Sequence, residues 1–186
     1  MPTQFLTYHQ EQMKARFCAA VGKSGAELQN AIEAILAYYP EPNDVCPVID
    51  LRNPGADLLE GIFTAVTACD NEGQPIFRQL VLQRWTGFTS GGFRWLFIRI
   101  ICALTSYVDQ HPESWTAVRK YVEHAEQHAK ANLSVWWFGE EVWFLCRDLR
   151  FKLPDEDTIF LANLDHRWRC GFFILSQGHV LIPFSA

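Results

Sequence analysis

Between Gly92 and Val108 the chain places apolar side chains on almost every side of a helical wheel, with Arg94 and Arg99 as the only charges. A helix that is apolar all round is stable in water only when other elements cover it. This segment is therefore expected at the centre of a layered core. Its most apolar part, Trp95 to Leu104, is interrupted by Arg99 and falls short of the roughly 20 apolar residues of a membrane span. We read it as the core helix of a soluble protein, with no membrane association. Hydrophobic residues make up 49% of the 186 positions, enough for one domain around that core.

The flanking segments supply amphipathic helices to cover it. Thr7 and Gln10 fit a capping box, and the helix they open turns Met13, Phe17 and Val21 inward before Gly22. Ser24 and Glu27 fit a second one, followed by the stripe Leu28, Ile32, Ile35, Leu36 and Tyr39 up to Pro40. Asp44 to Leu51 reads as an extended piece. Asn53-Pro54 starts a third helix that carries Leu58, Ile62, Val66 and Cys69. Residues 75–85 fit a helix better than a strand, and 86–92 form a Gly-rich loop. After Pro112 the cleanest stripe in the chain follows: Trp115, Val118, Val122, Ala125 and Ala129.

The reading changes after residue 134. Glu140 and Glu141 precede Arg147 and Arg150 in the order that suits a helix dipole, yet Leu149 to Leu153 alternates as a strand does. Thr158–Leu164, Trp168–Ser176 and His179–Phe184 read as three short strands with turns at 165–167 and 177–178. The expected class is α+β: a helical body of about six helices over residues 1–150, then a small antiparallel sheet of about three strands over 151–186, in one domain. Phe173–Val180 with Pro183-Phe184 is similar to the C-terminal end of some CRISPR-repeat endonucleases. The rest of the chain lacks the basic balance and early strand that such a resemblance implies.

The N-terminus has no basic start followed by an apolar run, so no secretory signal is expected. The six cysteines include no Cys-x-x-Cys pair. Buried thiols in a reducing cytoplasm are expected, with neither a zinc knuckle nor a disulfide framework.

The net charge of −5 hides a strong partition. Residues 1–72 sum to −6, residues 73–108 to +4 with no acid at all, and residues 109–186 to −3. The basic island consists of Arg78, Arg84, Arg94 and Arg99, interleaved with aromatics. Arginine suits bidentate anion contacts. With Ser90 at the end of the Gly-rich loop, these residues are the candidate anion site, although no Gly-Lys-Ser/Thr of a P-loop is present. The competing reading pairs each arginine with an acid from a flanking segment.

His124 and His128 lie four residues apart on the cleanest helix and can face one metal. They are weak candidates, because Glu126 points to the other side and spacing indicates no third ligand. His166 beside Asp165 is read as a solvated turn. No nucleophile elbow, kinase signature or dinucleotide fingerprint occurs, so no catalytic residue and no cofactor is expected. Trp136, Trp137 and Phe138 cannot all point inward from one helix, which makes them candidate anchors at a protein interface. The expectation that follows is a cytoplasmic, non-catalytic module of the inhibitor, immunity, chaperone or adaptor type. It would use an acidic surface and aromatic anchors to bind a basic protein. The alternative is a nucleotide- or phosphate-binding protein or enzyme using segment 73–108, through which nucleic acid is possible but not expected.

Overall fold

The computed structural model describes residues 2–38, 49–85, 90–132, 137–170, 172–174 and 181–183. For residues 2–6, 90, 169–170 and the last two segments it describes the backbone only. Eight α-helices make up the described body: α1 Pro2–Cys18, α2 Gly25–Ala37, α3 Gly55–Thr67, α4 Phe77–Arg84, α5 Ser90–Gln110, α6 Trp115–Ala131, α7 Phe138–Leu149 and α8 Asp155–Asp165.

The apolar segment becomes α5, and it is central as expected. It packs against both α7 and α3, burying Leu96, Phe97, Ile98, Ile100, Ile101, Ala103, Leu104 and Val108. One strip stays open, marked by Trp95, Ser106, Asp109 and Gln110. By length and composition Gly91–Gln110 does reach what a bilayer-crossing helix needs, which corrects the shorter segment read from sequence. More than half of it, 56%, is buried inside the fold, as a core helix is.

Most stripe residues land where periodicity puts them, but α1 ends before Val21 and α3 before Cys69, which is exposed. Met13 and Phe17 of α1, Ile32, Ile35 and Leu36 of α2, and Leu58, Ile62 and Val66 of α3 all enter one continuous core. Every member of the Trp115–Ala129 stripe is buried on α6. The starts differ. Thr7 lies inside α1 rather than at its N-terminus, and Ser24 caps α2 without a side-chain hydrogen bond. Where α1 crosses α3 the backbones nearly touch: a Cβ at Gly61 would lie 2.1 Å from the Phe17 carbonyl oxygen. Only glycine permits that approach.

Two long-range bonds fix the direction of the central pair. Arg94 near the start of α5 binds Glu140 near the start of α7, and Thr105 further along α5 binds Asp148 further along α7. The two helices therefore run parallel. α6 is joined to the last part of the body: Arg119 meets Asp157 of α8, and Glu126 meets Arg167 of the turn after it.

The α+β expectation is overturned: the body is all-helical, and no sheet layer packs on it among the described residues. Thr158–Leu164, expected as a strand, lies in α8. The acids Asp155, Glu156 and Asp157 occupy its first turn, and Leu161 and Leu164 face the core three residues apart. The run Thr158-Ile159-Phe160 favours strand locally, but packing of this segment against α7 decides otherwise. Leu149–Leu153 is the end of α7 and a turn. Trp168–Ser176 begins inside a π-helical turn, His166–Cys170, which buries Trp168 edge-on to Phe138 at 4.8 Å. What remains extended is Phe172–Ile174, paired antiparallel with Leu181–Pro183, three residues a side.

Candidate functional site

The most unusual feature of the core is charged. Arg78 on α4 and Glu141 on α7 are both fully enclosed, and they meet through two parallel bonds, Nη1–Oε1 at 2.6 Å and Nη2–Oε2 at 2.8 Å. The Tyr121 hydroxyl of α6 accepts a further bond from Nη1 at 3.3 Å. The guanidinium lies 4.0 Å over the Phe97 ring of α5. Four helices thus converge on one side chain. Burial opposes the Arg78 charge, but Glu141 and Tyr121 outweigh it and hold the guanidinium protonated above its ordinary range. Burial raises the Glu141 carboxyl, and Arg78 opposes that rise. The bidentate geometry is that of an ion pair. Burial also pushes the Tyr121 phenol up to about 12, with Arg78 opposing.

The rest of the arginine island is dispersed. Arg84 at the end of α4 pairs with Glu33 of α2, with one of two bonds at 3.1 Å. Arg94 binds Glu140 at 2.5 Å. Arg99 has no carboxylate within 4.0 Å among the described residues. Asp50 feels its charge more weakly than that of Arg52, which already grips Asp50 at 2.8 Å. Ser90 opens α5, but its side chain and loop residues 86–89 lie outside the described residues. The candidate anion site therefore does not assemble from these side chains. Three of its arginines neutralise acids of other segments, in three separate places.

His124 and His128 are half-buried on α6, beside Arg78 rather than out in solvent. His124 Nε2 and His128 Nδ1 are inaccessible and have no hydrogen-bond partner among the described residues. Burial first, and then the Arg78 charge, holds both imidazoles below their ordinary pKa. Among the described residues no group of three or more His, Cys, Asp or Glu converges to hold a metal. Glu126 points away from the histidines, as helical geometry requires. There it accepts two bonds from Arg167, at 2.8 and 3.1 Å, and one from the Trp168 indole at 2.8 Å.

The aromatic trio divides. Trp136 lies outside the described residues. Trp137 and Phe138 are buried, Phe138 between the Trp168 ring and the Arg78 guanidinium, so neither ring is presented to a partner. Among the described residues the large rings that do reach the surface are others: Tyr8 on α1, Trp95 at 48% exposure on α5, Trp143 at 41% on α7, and Phe151 just beyond α7. No sequence signal separated them from the buried rings. Glu141 also escaped notice as an Arg78 partner, since it lies 63 positions further along the chain. A polar cleft of about 330 Å³ opens between α1 and the segment before α3, lined by Gln10, Glu11, Lys14, Asp50 and Arg52. Its Asp50 and Arg52 are already engaged with each other.

Among the described residues, fold and site define a helical body whose interior carries a buried ion-pair junction. No protein-family model, curated protein or solved structure matches the chain.

Proposed function

We propose that this chain is a non-catalytic protein-binding module, of the inhibitor, immunity, chaperone or adaptor type, that takes a basic protein on its acidic surface. One observation carries the reading: among the described residues of 1–72, unpaired exposed acids outnumber the unpaired exposed cations Lys14 and Lys23. Arg78, Arg84 and Arg94 are spent on acids within the fold. Glu11, Glu27, Asp57 and Glu72 are exposed and have no cation within 4.0 Å among the described residues. The negative charge of residues 1–72 is thereby left facing outward, where it steers a basic partner. The phosphate-binding alternative loses its main support, because its arginines do not converge.

The test is affinity capture from the native host, with mass spectrometry of what is retained. We expect a specific basic protein, released by salt and lost with a Glu11→Lys/Glu27→Lys/Asp57→Lys/Glu72→Lys variant. Undiminished capture by that variant, or no complex at any salt concentration, rejects the proposal.

A further inference from the structure

A second surface has the opposite character. The open strip of α5 and the outward side of α7 form one continuous face. Cys102 shows the continuity, since it lies in reach of Arg99 on its own helix and of Arg147 and Asp148 on α7. Trp95 and Trp143 follow the Arg94–Glu140 bond on these parallel helices by one and three residues.

The indoles carry guanidiniums. Arg94 lies 5.1 Å over Trp95, and Arg147 lies 5.4 Å over Trp143 and 4.9 Å over Phe144. Next in line, Arg150 lies 5.6 Å over Phe151, which is 90% exposed. Glu140 and Asp148 offset two of these charges. Arg99 and Arg150 have no carboxylate within 4.0 Å among the described residues. Cation and aromatic groups thus stand in excess here, on a chain that is acidic elsewhere.

We propose that the α5–α7 face docks an apolar peptide segment that carries carboxylates, as on one side of an acidic amphipathic helix. Charge complementarity argues for that occupant. Arg99 and Arg150 have no carboxylate partner among the described residues, and a guanidinium can meet a carboxylate in two parallel bonds. Asp148 takes only two of the five Arg147 N–H donors. The indoles and Phe144 supply the apolar part, and Trp and Arg are the residue types that carry most binding energy at interfaces. A lysine-rich segment would meet uncompensated arginines and be repelled. The inference is independent of the acidic surface described above.

The test is selection of a phage-displayed random peptide library on the immobilised full chain. The enriched peptides are then titrated against the wild type and against Trp143→Ala, Trp95→Ala, Arg147→Glu and Glu27→Lys/Asp57→Lys variants. Unchanged thermal unfolding of each variant establishes that it is folded. We expect enrichment of sequences that combine Asp or Glu with Leu, Phe or Trp. Their affinity should fall at least tenfold in Trp143→Ala or Trp95→Ala and in Arg147→Glu, and remain unchanged in Glu27→Lys/Asp57→Lys. Enrichment of lysine- and arginine-rich peptides alone, sensitive only to Glu27→Lys/Asp57→Lys, overturns this inference while leaving the proposed function intact. No enrichment overturns it as well. So does Trp143-dependent binding of a thymidine oligonucleotide or of phosphatidylserine vesicles in place of acidic peptides.

Discussion

Replacing Glu141 by Gln leaves the Arg78 guanidinium enclosed with its hydrogen bonds partly kept but its countercharge gone. Both side chains are essentially inaccessible in the folded protein, so water cannot compensate. Removing one partner of such a pair costs about 3–5 kcal/mol, dominated by the stranded charge. For a chain of this length about 1 kcal/mol moves the melting temperature by roughly 2–4 °C, so Glu141→Gln should lower it by about 6–20 °C. The double variant Arg78→Met/Glu141→Leu removes both charges and keeps apolar volume next to Phe97 and Phe138. It should recover most of the loss, because an apolar replacement of a buried pair is often neutral or better. Urea unfolding followed by far-UV circular dichroism, with tryptophan emission as a second probe, measures all three proteins. A loss under about 1 kcal/mol for Glu141→Gln would refute the stranded-charge argument, as would a double variant no more stable than the single one.

The remaining predictions concern other sites. Gly61→Ala gains about 1 kcal/mol of helix propensity but forces a methyl group against the Phe17 carbonyl, so a net loss of about 1–3 kcal/mol is expected in the same unfolding assay. Phe138→Ala should cost about 3–5 kcal/mol, whereas Trp143→Ala should stay within about 1 kcal/mol of the wild type; similar losses would contradict their opposite placements. The depressed histidines make stability fall with acid. The unfolded chain takes up protons near pH 6.5 and the folded one only below it, so stability present above that pH is lost as pH drops through it. Urea midpoints from pH 8 to pH 5 should show this decline, and His124→Gln/His128→Gln should flatten it. Midpoints rising toward pH 5 would reverse the sign and dismiss the argument.

The helical half of the fold was legible because its signals are local and agree with the core. The periodic stripes of α2, α3 and α6 and the all-round apolarity of α5 each report which face must be covered. The tail misled because Thr158-Ile159-Phe160 has β-favouring side chains, while what places it is the fit of Leu161 and Leu164 against α7, a relation invisible to a window of a few residues. The site followed the same division. That an acid-free segment needs acids from elsewhere was readable from charge counting. Which acid serves which arginine was not: Glu140 and Glu141 are neighbours in sequence, yet they point about 100° apart on α7 and serve different helices. Trp137 and Phe138 are buried for a related reason. The turn before α7 turns Trp137 inward beside Phe138, so these two adjacent rings are divided between a turn and a helix.

The junction at Arg78 also governs how the molecule opens. Withdrawing α4, α6 or α7 alone would break bonds to a charge that the others keep enclosed, so partial opening is penalised at that point. These helices should accordingly exchange their amide hydrogens together, as a single cooperative unit. By contrast α2 makes no bond to that junction: the exposed Arg84–Glu33 pair, the buried Trp85 Nε1–Leu36 O bond and its core residues hold it, so it can open without stranding the charge. One enclosed ion pair thus sets the boundary between the part of this protein that breathes and the part that opens as a whole.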